Sequence, residues 1–490
     1  YERIIVIVFR YKETEVVNIK IMMKNVKLVE DRISTFSDGI LQHILSFLDM
    51  KQVVQTSVLS SRWKSLWLSV SNLNFDEKFW MDKQTKEPKR QKFREFVDAF
   101  SLYICHDEEV NKLQKAVRED AERIYVWIAY LIKKRNVQDV RIYARLILPE
   151  TKRLFNHIKI LCLEWVVLCG EDSGDLLWDF PLMEKLSMIN IQHMHLDSIT
   201  ISAPRLRYLL VESNYAYAED CKLNIRAPNL TTLKLKGHLY KDYSLKNLSS
   251  LVTAEISYEM DWFKAIKKKV IGRCFKNILV GLANAKSLTL SVSLLQDSSE
   301  LPSTLERGQI SHNNIRYLKL EDLCSEEYIR PVAKLLEFFP HVETFVLECS
   351  KDSVNNWKGQ ESGDSSLQLA GEDYWGAQLS FQCMLHHLKC IEIQEFDGSP
   401  NEFKFFEFLL RNASVLENIT MKAKEVFARD NISKQKEEEL VEFSKKLKLL
   451  PKASSNVKFS LVLEKKSGRT VAFEEFSSSP NTLAEALVGK

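Results

Sequence analysis

Apolar positions along this chain follow distinct rhythms, and each rhythm predicts a different element. Residues 31–67 read DRISTFSDGILQHILSFLDMKQVVQTSVLSSRWKSLW, a helical rhythm that is interrupted twice. Ile40, Leu41, Ile44, Leu45 and Leu48 recur at three and four, which gathers them on one helix face. Ser37 or Asp38 can cap that helix, because a short side-chain oxygen accepts the free N–H groups of a first turn. Asp49 can cap a second helix carrying Val53, Val54 and Val58, and Ser60 or Ser61 can open a third with Trp63, Leu66 and Trp67. Three helices in so short a stretch bury little by themselves, so the unit is expected to need a partner or a neighbouring domain.

From about residue 140 a three-point pattern takes over, with apolar residues at i, i+3 and i+5. It occurs at Ile158/Leu161/Leu163, Met183/Leu186/Met188, Leu206/Leu209/Val211, Leu230/Leu233/Leu235 and Leu251/Ala254/Ile256. It returns at Ala285/Leu288/Leu290, Ile315/Leu318/Leu320, Val342/Phe345/Leu347, Leu388/Ile391/Ile393 and Leu416/Ile419/Met421. The first positions are spaced by 25, 23, 24, 21, 34, 30, 27, 46 and 28 residues. A strand this short cannot bury its apolar side alone, and stacking the turns makes one continuous core, which is the logic of a solenoid. Two turns are near copies, Ala203-Pro204-Arg205-Leu206 and Ala227-Pro228-Asn229-Leu230. Proline cannot donate to a sheet ladder, so it is expected where each strand starts.

Strand alternation then turns i+2, i+4 and i+6 outward. The outward positions include Tyr208, Leu210 and Glu212, then Thr232, Lys234 and Lys236, then Thr253, Glu255 and Ser257, and further along Tyr317, Lys319 and Glu321. Both charge signs, hydroxyls and aromatics mix there, as on a protein-binding surface. Tyr208, Glu212, Lys234, Lys236, Tyr317 and Lys319 are the candidate target-binding residues, with the tyrosines as anchors and the lysines steering. The other possibility is a solvated sheet face with the partner docking elsewhere.

Between these regions, residues 76–136 are charged, with apolar stripes at Phe93, Phe96, Val97 and Phe100 and at Ile124, Trp127, Ile128 and Leu131, read as core. Residues 351–380 are rich in Gly, Ser, Asp and Gln, which marks a long loop and accounts for the 46-residue gap. Residues 385–421 read as strand, turn, amphipathic helix and strand. The chain opens on Tyr1 rather than Met, and residues 1–21 show no turn signal. Residues 1–30 are read as an unstructured extension, with 1–21 from a gene model extended upstream.

Composition narrows the classes. With 69 basic and 66 acidic side chains, net +3, the chain lacks the charge excess of a broad nucleic-acid surface. Only 14 glycines and 11 prolines in 490 residues argue against long disordered tracts. Nine scattered cysteines without a C-x-x-C pair point to reduced thiols in the nucleus or cytoplasm. The apolar run Ile4–Phe9 is too short for a signal segment or a membrane span. Cys383, His386, His387 and Cys390 have zinc-like spacing, but Leu385 and Leu388 interleave them and Cys390 falls in a triplet strand, so no metal or other cofactor is expected. His193 and His195 lie near Asp197 without a nucleophile motif, and no phosphate-cradling glycine loop occurs, so catalysis is not expected.

Two stretches carry a family resemblance. DRIS, ILSFL and TSVLSSRWKSLW resemble the plant F-box, and IEIQEFDG with LLRNA resembles the FBD domain of plant F-box proteins. The early triplet spacings fall in the leucine-rich-repeat range, and the later ones carry insertions. The resemblance implies an α/β chain with a three-helix F-box at 31–71, a linker at 72–139 and leucine-rich repeats at 140–350 as a curved parallel sheet with helices. The loop at 351–380, the FBD domain at 381–460 and a C-terminal tail at 461–490 complete it. It also implies a non-enzymatic substrate adaptor of a Skp–cullin–F-box ubiquitin ligase. The F-box would bind the Skp-type adaptor, and through it a cullin, by Ile33, Phe36, Ile40, Leu41, Ile44, Leu45, Leu48, Val58, Leu59 and Trp63. The repeats would bind an unknown protein target. The sequence departs from the family pattern at Phe36-Ser37, where Leu-Pro is usual, and at Asp49, where Pro is common. A repeat scaffold that has lost adaptor binding is the alternative.

Overall fold

The computed structural model describes residues 35–66, 72–76, 138–143, 147–148, 155–169, 174–194, 196–213, 220–258, 268–291, 314–321, 332, 335–336, 338–348, 385–396, 398, 400–423, 432–455, 457–464 and 470–473. They belong to two compact units, Tyr1–Leu230 and Thr231–Lys490. The expectations for residues 1–30, for the stripes between 93 and 131, for the 351–380 loop, and for Ile33, Trp67, His195 and Cys383 lie outside the described residues.

The first unit opens with three helices, α1 (Asp38–Leu45), α2 (Met50–Thr56) and α3 (Ser61–Leu66). Leu41, Leu45, Met50, Val53, Trp63 and Leu66 form their shared interior. Ser37 is the N-cap residue of α1, but its side chain makes no capping bond. Its carbonyl instead accepts the N–H groups of Ile40 and Leu41, both at 3.1 Å. Asp49 builds a full capping box on α2, its carboxylate accepting from the N–H of Lys51 at 2.7 Å and of Gln52 at 3.2 Å while Gln52 Oε1 accepts the Asp49 N–H. That box holds the turn in which a proline would otherwise fix φ. Ser60 Oγ accepts the Trp63 N–H at the start of α3. Val58 lies beyond the end of α2. Arg62 reaches back to the first turn of α1, donating to Asp38 Oδ1 at 2.5 and 2.8 Å and to the Phe36 carbonyl at 2.6 Å.

Eleven described strands follow in this unit. They are β1 (Asn72–Asp76), β2 (Asp139–Tyr143), β3 (Ile147–Leu148), β4 (Ile160–Glu164), β5 (Val167–Cys169), β6 (Asp175–Asp179), β7 (Lys185–Ile189), β8 (Gln192–Met194), β9 (Ser198–Ser202), β10 (Tyr208–Ser213) and β11 (Lys222–Arg226). All pair parallel, in the orders β1-β2-β4-β7-β10, β3-β5-β8 and β6-β9-β11. A turn of chain therefore visits three sheets in succession, as in β4, β5, β6 and again in β7, β8, β9. Strands occupy the returns here, and among the described residues of 138–230 no helix backs the sheet. The reason is local: DLLWD, SITIS and KLNIR alternate with period two, burying Leu176, Trp178, Ile199, Ile201, Leu223 and Ile225. Only a strand satisfies that period.

The second unit contains β12 (Thr232–Gly237), β13 (Asp242–Lys246), β14 (Thr253–Tyr258), α4 (Lys268–Gly281), β15 (Ser287–Ser291), β16 (Tyr317–Glu321) and β17 (Thr344–Glu348). It continues through β18 (Cys390–Phe396), α5 (Pro400–Asn412), β19 (Asn418–Ala423), α6 (Ile432–Lys448), β20 (Lys458–Glu464) and β21 (Thr470–Phe473). β12, β14, β15, β16, β17, β18, β19 and β20 form one parallel succession, and β21 adds to β20 antiparallel. The expected helices are here, in turns long enough to hold them. α4 lies against β13, with Asn277 Nδ2 donating to Asp242 Oδ1 at 2.8 Å. Phe403 and Phe406 of α5 meet Phe443 of α6 edge-on. β20 runs across position 460, so the boundary drawn there falls inside a strand.

One device builds both units. All residues of the ten triplets are buried, none more than 5% exposed. In every case the strand begins at i+2. At nine of the triplets the N–H groups at i+1 and i+2 both donate to one carbonyl of the preceding turn. Thus Glu184 and Lys185 bond Lys159 O at 2.7 and 2.9 Å, and Lys389 and Cys390 bond Glu343 O at 2.9 and 3.0 Å. Asparagines just before a triplet add a rung to the preceding turn: Asn229 to Pro204 O, Asn284 to Leu248 O and Asn314 to Ala283 O. Pro204 and Pro228 sit in the corner four residues before a strand, where no ladder N–H is required, rather than at the strand's first residue.

Candidate protein-interaction surfaces

Helix α1 divides its apolar residues between two sides. Leu41 and Leu45 point inward, while Ile40, Ile44 and, just past the helix, Phe47 follow at i, i+4 and i+7 on the outer side. Phe36, Val58 and Leu59 are exposed as well, and Phe47 is 73% exposed with its ring edge-on to His43 at 4.9 Å. A small unit that leaves six large apolar side chains in water is built for a partner. Of the residues expected to touch the adaptor, Phe36, Ile40, Ile44, Val58 and Leu59 are open and Leu48 is half-buried. Leu41, Leu45 and Trp63 are not available. They are core, because an apolar stripe as wide as 40, 41, 44, 45 and 48 must spend its inner half against α2 and α3. Phe47 went unremarked in the sequence reading, although a large apolar residue beside Leu48 and just past the helical repeat was the visible signal.

The outward strand faces carry the second set of candidates. In the first unit, register aligns Asp139, Ile160, Lys185 and Tyr208 in one row, Arg141, Cys162, Ser187 and Leu210 in the next, and Tyr143, Glu164, Ile189 and Glu212 in a third. The Lys185 ammonium lies 4.9 Å from the centre of the Tyr208 ring, a cation–π contact. Arg141 donates twice to Asp139, and Trp165 Nε1 donates to Glu164 Oε1 at 3.0 Å. Burial is the first cause pushing both the Tyr143 hydroxyl and the Cys162 thiol above their ordinary pKa, which keeps both protonated and neutral near pH 7.

In the second unit one row runs Lys234, Glu255, Thr289, Lys319, Val346, Glu392, Thr420 and Ser460. Its charges are joined mostly across strands, with Lys319 and Glu321 paired along β16. Lys234 and Lys236 both bridge Glu255, Lys319 bridges Glu321 at 2.8 Å and Glu348 at 2.6 Å, and Lys422 bridges Glu392 at 2.6 Å. Burial alone would raise the Glu255 pKa, yet the two lysines outweigh it and hold the carboxyl below its ordinary range. Burial would likewise lower Lys319, and its two glutamates raise it instead. Lys234, Lys236 and Lys319 are therefore cross-strand ties and not the free steering charges expected from sequence. Tyr317 stays half-exposed beside them.

Among the described residues no group of three or more His, Cys, Asp or Glu is placed to hold a metal ion. His386 and His387 occupy the turn before β18, and the Cys390 thiol accepts from Asn418 Nδ2 at 3.8 Å. No described helix is long and apolar enough to cross a membrane.

Known proteins match this organisation. The F-box domain family matches residues 33–75, which span α1, α2, α3 and most of β1. The FBD family matches residues 379–421, which span β18, α5 and most of β19. An F-box/LRR-repeat protein of Arabidopsis thaliana is 27% identical over 418 residues, covering 77% of this chain and 88% of the relative. An Arabidopsis F-box/FBD/LRR-repeat protein is 25% identical over 406 residues, 80% of this chain and 91% of the relative. An FBD-associated F-box protein of the same plant is 24% identical over 449 residues, 80% of this chain and 92% of the relative.

Proposed function

We propose that this chain, which carries F-box and FBD domains and a leucine-rich-repeat-type solenoid, selects substrates for a Skp–cullin–F-box ubiquitin ligase. The observation that supports this best is the exposed apolar set Phe36, Ile40, Ile44, Phe47, Val58 and Leu59 on the F-box. In this reading the set is covered by the Skp-type adaptor, which links the chain to a cullin. The outward strand faces, with Tyr208 and Tyr317, take the target. The transfer chemistry belongs to other subunits, and this chain contributes proximity.

The test is co-purification with a Skp-type adaptor. Ile40→Ser, Ile44→Ser and Phe47→Ser together are expected to abolish the complex and lower the melting temperature only modestly, because all three side chains are exposed in part. Undiminished binding by that variant defeats the adaptor reading. Failure of the unaltered chain to bind leaves the repeat scaffold as its role. Charges at Leu41 and Leu45 would not test the contact, since an unpaired carboxylate buried there costs several kcal/mol and unfolds the helices.

A further inference from the structure

α6 and the segment after it carry a charge arrangement that the F-box and the strand faces do not use. From Phe443 to Leu463 there are five lysines, Lys445, Lys446, Lys448, Lys452 and Lys458, and no aspartate or glutamate. The inner side of the helix is filled by Leu440, Phe443 and Leu447, which are buried. At its end stands Leu449, 86% exposed and flanked by these lysines. Lys446 is paired with Glu442 at 2.9 Å, and the Lys452 ammonium lies 5.0 Å from the centre of the Phe459 ring. The ammonium groups share a neighbourhood: Lys448 is held below its ordinary pKa first by burial and then by Lys452 and Lys445.

The helix dipole favours lysines in a last turn. It does not explain Lys452, which lies past the helix, nor a leucine left in water among charges. An exposed apolar side chain beside a run of lysines has the anatomy of a docking site, with a dry centre and a charged rim. We propose that the C-terminal end of α6, with Lys445, Lys448, Leu449 and Lys452, docks an acidic segment of a partner protein that places an apolar side chain on Leu449. A nucleic acid would meet the lysines and leave Leu449 uncovered. A lipid surface would need several apolar side chains to insert, and α6 has turned Leu440, Phe443 and Leu447 inward. The site lies past the end of the FBD match and is independent of the ligase reading.

The experiment is fluorescence anisotropy on the full chain. The probes are a labelled synthetic peptide of glutamates with two leucines, its glutamine counterpart, a single-stranded DNA oligonucleotide and phosphatidylserine vesicles. The glutamate peptide is expected to bind at low salt and the glutamine peptide not to bind. Lys445→Gln, Lys448→Gln and Lys452→Gln together should weaken it about tenfold or more. Leu449→Ser should weaken it several-fold, and at so exposed a position it keeps the fold, so it carries the test if the triple variant melts early. Adaptor co-purification, run on the same variants, should stay at the parent's level. Absence of peptide binding, or equal binding by Leu449→Ser, overturns the proposal. So does DNA or vesicle binding as tight as the peptide's and insensitive to Leu449→Ser, which would mark a polyanion or lipid surface.

Discussion

His193 shows how much a single position on a return strand can decide. It lies on β8, paired in register with Leu168 of β5, and is buried. Burial brings its pKa down from 6.5 to about 4, so the folded chain keeps this imidazole neutral. Below about pH 6.5 the unfolded chain takes up a proton there that the folded chain refuses. Stability therefore falls with pH until about 4, where the folded form binds the proton too. Between pH 7 and pH 5 this position should cost about 2 kcal/mol. His193→Leu should lose less melting temperature over that interval than the parent, and equal losses would show that the acid sensitivity arises elsewhere. Sequence singled out His193 only as a neighbour of Asp197. Its burial comes from a third sheet that no local pattern announced.

At the scale of elements, the contact of α4 with β13 is set by what is missing. A Cβ placed on Gly281 would collide with the Leu245 side chain. Gly281→Ala should therefore destabilise the chain by about 1–2 kcal/mol in chemical denaturation, since overpacking outweighs the better helix propensity of alanine. Leu245→Ala should cost less in the Gly281→Ala background than in the parent, because there it also relieves the clash. A neutral or stabilising Gly281→Ala would refute the close approach. The strands, by contrast, were legible: each triplet marked a strand beginning two residues after its first position, because period two and a buried face leave one register. The return strands were not singled out, although DLLWD and SITIS alternate, because five residues of alternation are too few to tell a strand from a loop without a sheet to join.

At the scale of the molecule, the open apolar set of the F-box and the outward strand faces are built from different residues, and substitutions should separate their effects. Tyr208→Ala in the first unit and Tyr317→Ala in the second are expected to keep adaptor binding and the melting temperature. Target capture by proximity labelling with the F-box deleted should fall. Lys319→Ala is different, because it strips two part-buried glutamates of their shared lysine and should lower stability as well. If neither tyrosine variant changes the captured set, the targets dock elsewhere. The sequence by itself determined that the chain carries a three-helix unit and a solenoid, because helical spacing and apolar triplets act within a few positions, and the IEIQEFDG and LLRNA motifs carried the resemblance to the FBD domain. Tertiary structure decided which half of the α1 stripe faces water, that Lys234, Lys236 and Lys319 are spent on neighbouring strands, and that the early turns return by strands. Those outcomes depend on which elements meet, and local periodicity gives the face of an element but not what will lie against it.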